Sequence, residues 1–273
     1  MNTLRIPAVA GQFYPDDGDE LRQTVINLLA QAKPAHDWPC PKALIVPHAG
    51  YVYSGAVAAS AYVQIQPWRD QITRVVLLGP AHRVGFQGLA IPSAEGFLTP
   101  LGKVSVDHQA LALLSELGQV HTLDQAHALE HSLEVQLPFL QQLLGEFRLV
   151  PLVVGDAGVT EVSEVLERLW GGAETLIVIS TDLSHYLDYA SAVQRDAVSS
   201  AAIERLDGDA IGYEDACGRN PLRGLLYLAK QRQMQIQTLD LRNSGDTAGP
   251  RGRVVGYGAY ALFERAGGEK ITP

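Results

Sequence analysis

Four short runs in this chain are apolar at almost every position: ALIVP (43–47), VVLLG (75–79), LVPLVVG (149–155) and TLIVIS (175–180). A strand that is apolar on both faces has to be covered on both, which is the habit of parallel strands sandwiched between helices. Segments of helical period lie between and around these runs, near 19–32, 54–65, 107–117, 132–144 and 160–170. In the fourth of these, Leu133, Leu137, Leu140 and Leu144 form one apolar stripe, and Pro138 should start, kink or shorten that helix. A further helical stretch runs from 186 to about 232, broken near Gly208, Gly212 and Gly218. Strand alternation returns at 235–244 and 253–264, around the loop GDTAGPRG. The expected fold is therefore α/β, a central mixed sheet flanked by helices.

The chain has 273 residues and no repeat, low-complexity tract or long linker, so a single domain over 1–273 is expected. KPAHDWPCPK (33–42) reads as a helix-to-strand connection. The net charge of −9 disfavours broad binding to nucleic acid. Two cysteines cannot build a disulfide framework, no apolar run approaches the roughly 18 residues of a membrane span, and no secretory signal is readable. A cytoplasmic protein that engages neither nucleic acid nor membrane is the expectation.

The histidines carry the functional signal. Of eight, three follow directly on expected buried strands: His48 after ALIVP, His82 two residues beyond VVLLGP, and His185 in TDLSH after TLIVIS. In open α/β sheets ligands bind beyond the carboxyl ends of the strands. One histidine there is commonly a capping or hydrogen-bonding residue, whereas three at the same station point to a shared crevice. Two neutral imidazoles can hold a transition metal that then needs a third ligand. Asp182, Glu130 and Cys217 are candidates, and His131 with Glu134 forms an H-x-x-E that could also ligate. Cys217 lies in a polar turn, ACGRNP, whereas Cys40, between two prolines, reads as structural filler. The P-loop, G-x-S-x-G, H-E-x-x-H and C-x-x-C templates are all missing.

Ordered motifs along almost the whole chain resemble the Memo family, named for a mediator of ErbB-driven cell motility. They are RIPAVAGQFYP, PHAGYVYSG, VVLLGPAH, TPLG, EHSLEVQLPFL, VPLVVG, STDLSHY, ACGRNPL, and SGDTAG followed by VVGYGAY. The resemblance implies a fold like that of the class III extradiol dioxygenases, in which two His and one Glu hold non-haem iron. Memo proteins present two His and a Cys instead. Carried over motif by motif, His48 of PHAG, His82 of GPAH and Cys217 of CGR become the implied metal ligands. His185 resembles the dioxygenase acid/base, His131 a second pocket histidine, and Asp182 a group that orients an imidazole. Thiolate in place of carboxylate softens the site, so copper and zinc compete with Fe2+.

The function this implies is a metal-dependent redox enzyme acting on an unknown small molecule or peptide. The alternative is a non-catalytic module that recognises a phosphotyrosine-like peptide in the same pocket. The family's prokaryotic setting adds radical-SAM and AMMECR-type proteins as implied partners. A metal-free hydrolase using His185 and Asp182 ranks last, because no nucleophile accompanies them.

Overall fold

All four apolar runs become strands, and each is buried along nearly its full length. The computed structural model describes residues 3–34 and 38–264, so residues 35–37 of the expected 33–42 connection lie outside it. In chain order the strands are β1 (Leu4–Arg5), β2 (Ala43–Val46), β3 (Arg74–Pro80), β4 (Leu89–Ile91), β5 (Gly96–Thr99), β6 (Gly102–Val106), β7 (Val120–Thr122), β8 (Arg148–Val154), β9 (Thr175–Ser180), β10 (His185–Leu187), β11 (Gln235–Asn243) and β12 (Val254–Phe263). The α-helices are α1 (Gly18–Gln31), α2 (Tyr51–Tyr62), α3 (His108–Ala112), α4 (Asp124–Ala128), α5 (Leu137–Leu144), α6 (Val159–Arg168), α7 (Tyr189–Glu204), α8 (Arg219–Gln231) and α9 (Ser244–Thr247).

The strands join in one mixed sheet whose middle runs β6-β8-β3-β9-β2-β12. The first five are parallel, and β12 closes the row antiparallel to β2. The chain passes from β2 over one place to β3, on to β8, and returns to fill the gap with β9. Right-handed crossovers that move in opposite directions must leave the sheet on opposite faces. Accordingly α2 packs with α1 and α5, while α6 packs on α8, which itself lies on β3 and β9. The reversal of strand order opens a crevice at the carboxyl ends of β2, β3 and β9, where His48, His82 and Asp182 follow.

Two expected helices are shorter than their apolar pattern. Only Leu137–Leu144 of the 132–144 stretch is α-helical, with Pro138 in its first turn, where its missing N–H costs nothing. Glu134–Gln136 forms a 3-10 turn instead, and its side chains serve polar contacts in the interior. Between 186 and 232 the structure has β10, α7 and α8, separated by an irregular stretch in which Leu206 adopts a positive φ of 54°. The short strands β1, β4, β5, β6 and β7 have too few residues to show a period.

A buried ion pair ties the N-terminal segment under the crevice. Arg5 and Glu134 pair with side chains 5% and 0% exposed. Glu134 also accepts the Ala8 and Val9 N–H groups at 2.7 and 3.1 Å and the Tyr14 hydroxyl. Every acceptor site of this carboxylate is therefore used locally, so Glu134 does not face the crevice as the H-x-x-E spacing allowed. Removing one member of such a pair strands the other and its donors. Glu134→Ala should lower the unfolding free energy in urea by about 3–5 kcal/mol; a loss below about 1 kcal/mol would show the pair to be dispensable.

Candidate metal centre at the carboxyl edge of the sheet

His48 leaves β2 through Pro47 and is buried. Its backbone N–H donates to Asp182 Oδ1 at 2.7 Å, which locks the loop after β2 to the loop after β9. The hydrogen bond of Asp182 thus goes to the backbone of His48, while its carboxyl also feels the charges of the His185 and His82 rings. On the ring, Nδ1 lies 2.9 Å from Ser180 Oγ, at the last position of β9. The ring's Nε2 lies 3.4 Å from Cys217 Sγ.

His82 and His131 are organised by a single carboxylate. Glu130 Oε2 accepts the His82 N–H at 2.6 Å, and Oε1 lies 2.9 Å from His82 Nδ1. The same Oε1 accepts the N–H groups of His131 and Ser132 at 2.8 and 2.9 Å. An ionised carboxylate only accepts, so His82 carries a proton on Nδ1, which leaves Nε2 as the ring's ligand atom. Burial pushes the Glu130 carboxyl up, but the His82 ring and the backbone N–H donors outweigh it and hold the group at about 2. Close approach of the two loops needs Gly79, since a Cβ there would meet Ser132 Oγ at 2.7 Å. The His131 Nδ1 comes within 3.3 Å of Glu130 Oε1 but is not aligned to hydrogen-bond, and it is buried without a partner.

The three rings face one another. His48 and His82 lie 5.2 Å apart between centroids, His48 and His131 5.6 Å, and His82 and His131 stack at 4.8 Å. One ligand atom from each falls within 4.8 Å of the other two, so the trio could hold a metal ion. Burial drives the His48 imidazole well below its usual range, and neighbouring His82 and His131 add to it. Burial likewise lowers His131 to about 4. Both rings are therefore neutral near pH 7, the form that ligates.

Cys217 arrives from the other side, in the turn before α8. Its Sγ accepts the Asp182 N–H at 3.3 Å. This approach depends on Gly218, where a Cβ would sit 2.6 Å from Thr181 Cβ and 2.9 Å from the Ser180 carbonyl oxygen. Burial and the nearby Asp182 push the thiol up to about 12. Burial also raises Asp182, against the His48 N–H that favours its ionised form. His185 sits on β10 and lines the same cavity of about 810 Å³ as His48, His82, His131, Asp182 and Cys217. The six residues that the resemblance singles out thus border one cavity, whereas the other two candidates, Glu130 and Glu134, are not among the residues lining it. Glu130 is the organiser of two of its histidines, a role its place in the sequence does not reveal. Ser180, facing His48 Nδ1, is a residue that sequence reasoning missed altogether.

Because its carboxyl is held below its ordinary value of 4.5, ionised Glu130 stabilises the metal-free fold above about pH 4.5. That contribution fades as the pH falls toward 2. Between those limits the parent should lose about 3 kcal/mol more stability than Glu130→Gln, read from urea unfolding at successive pH values. Parallel pH curves for the two proteins would contradict the assignment.

The family model described as Memo-like protein matches residues 5–261. A MEMO1 family protein of Aquifex aeolicus strain VF5 is 36% identical over 266 residues, covering 93% of this chain and 97% of its own. One from Sulfolobus acidocaldarius is 34% identical over 279 residues, with the same coverage of each chain. Among solved structures, uncharacterized protein JW3007 from Escherichia coli K12 overlays 81% of this chain and 99% of its own at a TM-score of 0.48 and 14% identity. With a family model spanning nearly every described residue and relatives aligned end to end, the chain belongs to the Memo-like family.

Proposed function

We propose that this protein is a metal-dependent redox enzyme whose ion, iron(II) or copper, is held by His48, His82 and Cys217. The observation that carries the reading is the convergence of three imidazoles at the carboxyl edge of the sheet, with the Cys217 thiol beside one of them, His48. Nitrogen and sulfur ligands of one tetrahedral ion, at about 2.0–2.1 and 2.3 Å, stand roughly 3.5 Å apart. The 3.4 Å between Cys217 Sγ and His48 Nε2 fits that edge. His82 meets the demand for an oriented ligand through Glu130, and the unpartnered His131 Nδ1 is a buried lone pair or proton awaiting a counterpart.

Bound there, iron(II) or copper supplies one-electron redox and Lewis-acid chemistry; zinc suits the same donors but would supply only the latter. The chain's own part is acid–base and positional. His185 on the cavity wall exchanges a proton with the substrate, and His131, which lines the same cavity, serves as a second proton carrier. Asp182 fixes the backbone of His48. The cavity admits a small molecule or one side chain of a peptide, and radical-SAM and AMMECR-type proteins are proposed companions in a modification system.

A second reading, a binding module for a phosphotyrosine-like peptide, draws on the cavity mouth. Arg83 and Arg253 line it, and neither forms an ion pair with a carboxylate among the described residues; Arg253 stacks 4.9 Å over the Tyr186 ring. Such binding needs neither the converging histidines nor the thiol, which is why the enzyme reading stands first.

Metal analysis of protein purified without oxygen tests both. About one iron or copper per chain is expected in the parent and in His131→Gln, with affinity reduced roughly tenfold or more in Cys217→Ser. Metal kept by Cys217→Ser but lost from His131→Gln would replace this ligand set with the three histidines. No ion in any of the proteins, even after reconstitution, would overturn the redox reading in favour of the binding module.

A further inference from the structure

Ser180 Oγ has three polar neighbours and one proton. It lies 2.6 Å from the Ser132 carbonyl oxygen, 2.8 Å from Gln136 Nε2 and 2.9 Å from His48 Nδ1, and it is fully buried. A carbonyl oxygen can only accept, so the 2.6 Å contact requires the hydroxyl proton to lie on that line. The Gln136 amide cannot be turned round. Its Oε1 takes the Tyr62 hydroxyl at 2.9 Å, and its Nε2 gives its other hydrogen to the Pro47 carbonyl at 2.9 Å, where an amide oxygen would face another oxygen. The Gln136 nitrogen therefore donates to Ser180 Oγ as well. With its proton spent and one lone pair filled, Ser180 Oγ has only an acceptor site left for His48.

We infer that Ser180 and Gln136 are positioning residues that fix His48 as its Nδ1–H tautomer and so aim the bare Nε2 at Cys217 and the cavity. The Tyr62–Gln136–Ser180 chain does for His48 what Glu130 does for His82, with neutral groups in place of a charge. In the metal-free protein the Cys217 S–H then has two acceptors, His48 Nε2 at 3.4 Å and the Asp182 carbonyl oxygen at 3.7 Å, while its sulfur accepts the Asp182 N–H. A metal would displace that single proton. The tautomer follows from hydrogen-bond accounting alone; only its consequence for metal affinity rests on the proposed function.

The test is long-range ¹H–¹⁵N correlation NMR of the side chains of histidine-labelled, metal-free protein, with His48 assigned by comparison with His48→Gln. The parent and Ser180→Thr, which keeps the hydroxyl, should show His48 protonated at Nδ1 only. Ser180→Ala should show a mixture of tautomers. A parent spectrum with the proton on Nε2 overturns the inference even if the alanine variant does not fold, and a pure Nδ1–H signal in folded Ser180→Ala overturns the role of Ser180. Zinc binding supplies the second readout. Ser180→Ala should weaken it roughly 10–100-fold while Ser180→Thr restores most of it, and equal zinc affinity in all three proteins overturns the positioning role. If the parent binds none of zinc, iron(II) and copper but shows the expected tautomer, the proposed function fails and the inference stands.

Discussion

The Glu130 carboxylate is the contact on which the rest of the site depends. It is nearly sealed from solvent yet ionised, because the loop after β3 and the segment leading to α5 both turn their N–H groups toward it. A buried charge is costly unless every lone pair is met. Here the hydrogen bonds that meet them are the same ones that bring His82 and His131 face to face. The sheet supplies the platform, with its parallel strands ending together at one edge. Glu130 converts that edge from a row of loops into a fixed array of imidazoles.

Around it, two further devices set the donors. The Asp182 carboxylate holds the backbone of His48, and its own N–H meets Cys217, so one residue at the end of β9 links both. Burial keeps His48 and His131 neutral at the pH of a cell, which leaves lone pairs where a metal needs them and repels protons that would compete. The site is thus dry and preorganised on one side, through Ser180 and Gln136, and open on the other through a cavity bordered by His185 and Arg253.

Much of this was legible in the sequence. Strands apolar on both faces announce the parallel sheet, and the histidines placed just past them, His48, His82 and His185, follow from the rule that such sheets work at their carboxyl edge. Cys217 was not legible in that way: it comes from a turn between helices, and only the family resemblance singled it out. Glu130 was visible as a candidate ligand but not as the organiser of His82, which lies 48 residues away, and Ser180 and Gln136 were less visible still, because their partners lie tens of residues away along the chain. An isolated Ser, Gln or Glu in an apolar stretch has no pattern of its own. The stretch 132–144 shows the same limit. Its leucine spacing suits a helix throughout, yet Glu134 and Gln136 are drawn into interior polar contacts, and regular α-helix begins only at Leu137. The short strand at His185 was hidden for a similar reason, since it pairs with residues about seventy positions later.

We propose that these side chains form one metal centre at the end of β2, β3 and β9. The most direct measurement is anomalous diffraction from crystals of the zinc-loaded protein, recorded on both sides of the zinc absorption edge. A single strong peak within bonding distance of His48 Nε2, His82 Nε2 and Cys217 Sγ is expected. A peak elsewhere on the molecule, or an empty cavity with zinc bound only at surface carboxylates, would contradict it.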